Sequence, residues 1–356
     1  MNKKIIVVSH ILDRSGAPIS LLNIVKELSS NYDIYVLSML GGEFKKEYEQ
    51  YSKEIYILPQ RSIAILNKIK KVIAIMNFIK RVSPSFIIIN TSVNDLAVFA
   101  SWLSRKKFLI YVRESENMLN SVRKKYLLKL ADHIIAVSNE TKKWITKYVQ
   151  DSKISVVYNG IDFSNQSNID FVHHHNEDYI ISIIGHMQPR KGIDMFLELI
   201  LKLSSQAKNF KFMIIGDFGN VSEKEEFYQG LKNHNLEDKI IITGIVENVY
   251  KYIAKSTIVV MMSREEALPR TVMEASYMKK PVVAFDTAGT KELLPNKEFI
   301  VPQYDIEIFA SKIMYIIQND KFEELGNKNY EYVKHNFDLK EQIEKIKYII
   351  TDITHK

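Results

Sequence analysis

The sequence predicts an α/β protein of two doubly wound, parallel-sheet domains, and three observations carry that prediction. Thirteen short apolar runs, most of them rich in Val and Ile, alternate with segments of helical periodicity from one end of the chain to the other. The runs lack a polar face, as strands of a parallel sheet covered by helices on both sides require. The alternation restarts after a polar, aperiodic stretch at 163–178, and 356 residues are enough for two separate cores.

In the first half the expected strands are 4–9, 34–39, 55–58, 86–90, 108–113, 133–138 and 154–158. The first is followed by Asp13-Arg-Ser-Gly-Ala-Pro, a loop opening a helix, in which Gly16 lets backbone approach a phosphate closely at a helix N-terminus. Segment 65–82 offers Ile69, Val72, Ile73, Met76 and Ile79 as a core face, while Ile75, Phe78 and Val82 widen the apolar arc. Flanked by Lys68, Lys70 and Lys71, such a helix either packs into the core or lies on an anionic membrane surface. The strand at 108–113 ends in Arg113 and Glu114, two charges delivered to the carboxyl edge of the sheet; a plain surface ion pair is the simpler alternative.

The linker is expected at 166–178, which sets domains at 1–165 and 179–356, the last helix being a candidate to return to the N-terminal domain. His173, His174 and His175 lie in this linker; three consecutive loop side chains rarely converge on one ion, and no carboxylate pattern completes a metal site. Strands then follow at 179–185, 211–216, 239–243, 256–262, 281–285 and 299–301.

The stretch Ser263-Arg-Glu-Glu-Ala-Leu-Pro-Arg-Thr-Val-Met-Glu-Ala275 carries the most chemistry. It sets Glu266 in the loop after a strand and Glu274 about one turn into the next helix, eight positions on. Between them the amides of Arg270, Thr271 and Val272 form a helix N-terminus suited to phosphate. Acceptors for sugar hydroxyls, donors for a diphosphate and an acceptor for ribose hydroxyls match the three parts of a nucleotide-sugar.

These residues resemble the retaining glycosyltransferases of family four, which have the GT-B fold and a Glu-x7-Glu signature. Pro281-Val-Val-Ala-Phe-Asp-Thr-Ala-Gly-Thr-Lys-Glu-Leu resembles that family's strand and Gly-rich turn, with Ala288 where a second Gly is usual. Gly185-His-Met-Gln-Pro-Arg-Lys-Gly192 resembles its phosphate loop, with His186 in the usual Arg position, so the diphosphate would lean on Arg190 and Lys191. The resemblance spans most of the chain and is strongest over 183–292. It implies a GT-B architecture, two Rossmann-like domains facing a central cleft, the first binding acceptor and the second the nucleotide-sugar. It also implies roles: Lys191 and Arg190 on the departing diphosphate, Glu266 on the transferred sugar, Glu274 on ribose, and Arg113 with Glu114 on the opposite wall. Gly16, Gly185, His186, Gly244, Leu268, Arg270, Thr271 and Val272 would complete the donor site.

Composition narrows the chemistry further. Cysteine is absent, which excludes disulfides, thiolate metal sites and cysteine nucleophiles. No Asp-x-Asp occurs, so the usual anchor for a nucleotide-bound divalent ion is lacking and no metal or other cofactor is expected. Residues 1–165 hold 25 Lys and Arg against 14 Asp and Glu, so the first half carries the basic excess. No recognised nucleic-acid motif accompanies that charge. No apolar stretch is long enough to span a bilayer, and the basic start Met-Asn-Lys-Lys precedes too short an apolar run for a signal peptide, so a cytoplasmic protein, peripheral at most on the inner face of the membrane, is expected. The expected activity is metal-independent transfer of a sugar, with retention, from a nucleoside diphosphate to a glycan or lipid-linked glycan in bacterial capsule or lipopolysaccharide assembly. Two alternatives differ in class: a non-catalytic partner subunit that binds glycan or a membrane enzyme, and a sugar-nucleotide 2-epimerase.

Overall fold

A computed structural model describes residues 3–59, 64–163 and 178–355. Residues 166–177 of the expected linker, with His173, His174 and His175, lie outside the described residues. The chain forms two compact units, Met1–Gly160 joined by Leu339–Lys356, and Ile161–Asp338.

The first unit holds strands β1 (Lys3–Ser9), β2 (Tyr32–Ser38), β3 (Glu54–Ile57), β4 (Phe86–Ile89), β5 (Phe108–Val112), β6 (His133–Ala136) and β7 (Ile154–Val156). All pair in parallel, in the order β3-β2-β1-β4-β5-β6-β7. The apolar runs are strands because they are covered on both faces: every side chain of Phe86-Ile-Ile-Ile89 is buried. Chain order runs outward from β1 to β3 and then returns to β4, so the crossover direction reverses between β1 and β4. The last helix, Leu339–His355, belongs to this unit. Gln342 Oε1 accepts the Tyr158 N–H at 3.3 Å, and Lys107 Nζ donates to the Ile353 carbonyl at 2.9 Å.

The helix Ala64–Val82 is turned differently from expectation. Ile75, Phe78, Ile79 and Val82 enter the core, while Ile69 and Ile73 face outward. Its apolar arc is wide enough for two core faces, and Phe78 decides between them by stacking on Tyr56 at 5.0 Å.

The second unit repeats the plan with β8 (Tyr179–Ile184), β9 (Phe210–Ile215), β10 (Ile240–Ile242), β11 (Ile258–Met261), β12 (Val282–Phe285) and β13 (Ile300–Val301). They are parallel in the order β10-β9-β8-β11-β12-β13, the doubly wound order, with its reversal between β8 and β11. The loops leaving the carboxyl ends of β8 and β11 start from this reversal, side by side at one edge of the sheet. Among the described residues no helix is long and apolar enough to cross a membrane.

Candidate active site

The site grows from that reversal. β8 runs straight into Gly185, whose φ of +138° turns the chain sharply. A Cβ there would lie 3.5 Å from Lys191 Cε, so the lysine stem folds back over the bare glycine. The loop then makes a short turn at Pro189–Lys191 and enters the helix Ile193–Gln206 through Gly192, at φ +76°. Gly192 has a second reason to be glycine: a Cβ would sit 2.1 Å from the Met262 carbonyl oxygen, at the start of the loop that follows β11. Close approach of these two backbones puts Lys191 opposite Glu266.

Three sets of bonds tie the two loops together. The Arg264 N–H donates to the Arg190 carbonyl at 2.8 Å. The Arg264 guanidinium forks onto Asp194 at 2.9 and 2.5 Å and also donates to the Pro189 carbonyl. Lys191 Nζ reaches Glu266 Oε1 at 2.6 Å, and Arg190 reaches the same oxygen at 3.3 Å and the Glu265 carbonyl at 3.0 Å. On the far side Gly289 packs so tightly that a Cβ would fall 2.1 Å from the Ala267 carbonyl oxygen. Arg264, Asp194 and Gly289 therefore hold the loop that presents Glu266.

Burial by itself would raise the Glu266 carboxyl, but the Lys191 and Arg190 charges, with hydrogen bonds from Lys191 and Ser263, outweigh it and hold the group below the usual carboxylate range. An ionised carboxylate only accepts hydrogen bonds, so it can take hydroxyl donors. Glu274 stands in the helix Arg270–Tyr277, and its Oε1 holds the Arg270 guanidinium at 3.1 Å. Of the three amides expected to face phosphate, the Val272 N–H bonds the Pro269 carbonyl at 3.2 Å, and the Val272 side chain is buried. The Arg270 and Thr271 amides stay in the first turn. Leu268 is buried, so it can offer a ligand backbone rather than side chain, whereas His186 is exposed on the loop after β8.

Gly244 ends β10 at φ +68°, with open space where a Cβ would be. Gly216, which sequence reasoning missed, ends β9 at φ +141°. Three neighbouring strands thus end in turned glycines. The signal was present as a repeat: Ile183-Ile-Gly, Ile214-Ile-Gly and Ile242-Thr-Gly.

In the first unit the corresponding reversal gathers loops after β1, β4 and β5. Asp13 Oδ1 accepts the Ser15 N–H at 3.0 Å and its hydroxyl at 2.5 Å, a tight turn that opens the helix Gly16–Leu28. Asn90, buried at the end of β4, donates to the Ala17 carbonyl at 2.9 Å and accepts Arg113 Nε at 2.9 Å. Arg113 also donates to Asn159 Oδ1 and lies 3.9 Å over the Tyr111 ring. Glu114 is a correction to the expectation of a presented charge. It is buried, and its two oxygens accept the Ser92 and Arg113 amides at 3.1 and 3.0 Å. Burial pushes its carboxyl up despite those bonds. Glu114 fastens the loop after β4 to the end of β5, and Arg113 is the side chain of this pair that other polar groups orient.

Two parallel-sheet Rossmann-like units, one with a cation–carboxylate pair at its strand reversal, make up the architecture of the GT-B class. The chain belongs to the glycosyltransferases: residues 14–165 match Glycosyltransferase Family 4 and residues 165–336 match Glycosyl transferases group 1. It is 23% identical over 333 residues to the amylovoran biosynthesis glycosyltransferase AmsD of Erwinia amylovora, covering 89% of this chain and 91% of that one. It is 20% identical over 353 residues, 91% of this chain and 90% of that one, to the Escherichia coli UDP-Gal:alpha-D-GlcNAc-diphosphoundecaprenol alpha-1,3-galactosyltransferase. Among solved structures, Anabaena HepE in complex with UDP-glucose superposes with a TM-score of 0.85 at 18% identity, over 98% of this chain and 99% of that one.

Proposed function

We propose that this glycosyltransferase moves a sugar from a nucleoside-diphosphate sugar to an acceptor hydroxyl, with retention and without a metal ion. The observation that carries the reading is the contact between Lys191 and Glu266, which sets a cation able to meet phosphate charge beside an ionised hydrogen-bond acceptor at the strand reversal. As the bond from the anomeric carbon to the phosphate oxygen breaks, negative charge grows on the diphosphate, where Lys191 and Arg190 meet it. Glu266 accepts from hydroxyls of the transferred sugar, and Glu274 from the ribose. The acceptor oxygen bonds to the same face of the anomeric carbon, its proton passing to the departing phosphate oxygen. Arg113, oriented by Asn90 and Asn159, orients the acceptor side.

The acceptor we favour is a surface glycan or its lipid-linked precursor at the inner face of a bacterial membrane, in capsule or lipopolysaccharide assembly. Relatives named for amylovoran biosynthesis and for a diphosphoundecaprenol acceptor support this reading. The test is nucleoside-diphosphate release from a panel of sugar nucleotides, with and without lipid-linked glycans, followed by NMR of the product's anomeric configuration. Release that rises with one acceptor and gives a retained product is the expected outcome; an inverted product contradicts the same-face step.

A further inference from the structure

Three helices of the first unit pack side by side: Ala64–Val82, Asp95–Leu103 and Val122–Lys129. Their outward faces are apolar. Ile69 and Ile73 come from the first helix, Phe99, Trp102 and Leu103 from the second, Val122 and Tyr126 from the third, and all are exposed. Spacing explains the second set, since positions 99, 102 and 103 form one face of a helix whose opposite side, at Ala97, Val98, Ala100 and Ser101, is buried. Phe99 and Trp102 stack with ring centroids 5.9 Å apart. Residues 64–82, 95–107 and 121–130 hold twelve Lys and Arg against one carboxylate, Asp95; Arg123 pairs Asp95, Arg81 pairs Glu54 and Lys107 bonds the Ile353 carbonyl, and the rest keep the segments strongly basic.

We propose that this face docks into the headgroup region of an anionic bilayer, with Trp102 as its inserted anchor. Charge selects the occupant. A second copy of the same face would set like charge against like charge, and the ridge is mainly aliphatic, with Ile69, Ile73, Leu103 and Val122 offering bases nothing to stack on beside Phe99, Trp102 and Tyr126. An anionic interface accepts both components, because Trp and Tyr settle at headgroup depth while lysines reach the phosphates. The proposal deepens the lipid-linked-acceptor reading by naming the surface that would bring the enzyme to its acceptor, and it uses none of the residues assigned to the donor.

The chain has two tryptophans, and only Trp102 is exposed, at 48% against 4% for Trp144, so intrinsic fluorescence reports the contact directly. Full-length protein is mixed with vesicles of phosphatidylcholine alone or with phosphatidylglycerol added, at low and high salt. The expected result is sedimentation with the anionic vesicles only, reversed by salt, with a blue shift of Trp102 emission that brominated acyl chains quench. Trp102→Gln with Phe99→Gln should remove the shift and weaken partitioning roughly tenfold or more. Changing Lys68, Lys70, Lys80 and Lys129 together to Gln should lower it by about a thousandfold. Both variants should keep wild-type melting midpoints and donor turnover. Absence of vesicle binding, equal binding to neutral vesicles, or binding with Trp102 emission unmoved and unquenched overturns the proposal. Donor turnover in the same samples separates that failure from failure of the transferase reading, which loses turnover as well.

Discussion

Gly192 approaches Met262 so closely that a single added methyl group would lie 2.1 Å from the Met262 carbonyl oxygen. This backbone contact, together with the Arg264 fork onto Asp194, fixes the loop of Lys191 against the loop of Glu266. Gly192→Ala must therefore move one loop and strain a φ of +76°. We expect a loss of about 1–3 kcal/mol in stability. Turnover should fall further than the folded fraction does, because the substitution separates the pair proposed to carry the chemistry. Thermal melts and turnover on the same samples check this; a stable mutant of wild-type activity would show that the contact is incidental.

Acid should weaken the site in a defined direction. The Glu266 carboxyl is held below its ordinary value, so the folded state releases that proton more readily than the unfolded chain. Its stabilisation is fully present above the ordinary carboxylate pKa of about 4.3 and is lost as pH falls through the lower folded value. Glu266→Gln should accordingly melt lower than wild type at pH 7, with the gap closing on acidification. A gap that widens toward acid would contradict the assigned ionisation.

Glu274 already holds Arg270 at 3.1 Å, so its proposed bond to ribose has an internal control. Glu274→Ala should weaken nucleoside-diphosphate binding by roughly 1.5–3 kcal/mol, measured by calorimetric titration. Arg270→Ala tests whether the loss comes from the ribose bond or from freeing the arginine. Unchanged affinity in folded Glu274→Ala sinks the ribose assignment.

Much of the architecture was legible because parallel strands are apolar on both faces. All thirteen strands fall where runs such as Phe86-Ile-Ile-Ile89 and Ile258-Val-Val-Met261 place them. Glu266 in a loop and Glu274 in the following helix were legible too, since a strand, a Pro and a helix start are local signals. Pairings across sequence distance were not. Arg264 and Asp194 are 70 positions apart, and nothing local marks them as partners. Glu114 read as a presented charge because strand periodicity ends at Val112 and says nothing of where the next side chain turns. The outward turn of Ile69 and Ile73 was equally hidden, as a helix apolar over a wide arc has no single preferred core face.

Metal independence has a simple expected outcome. If Lys191, Arg190 and the first-turn amides meet the diphosphate charge, EDTA leaves turnover largely intact, whereas strict dependence on added magnesium or manganese contradicts that account.

The most direct measurement compares Lys191→Ala with wild type for both nucleoside-diphosphate affinity and nucleoside-diphosphate release from the preferred sugar nucleotide. Charge stabilisation that grows as the diphosphate departs predicts release slowed by about a hundredfold or more, against a much smaller loss of affinity for the free nucleoside diphosphate. A folded mutant whose release rate equals that of wild type would contradict the central role given to the pair of Lys191 and Glu266, 2.6 Å apart.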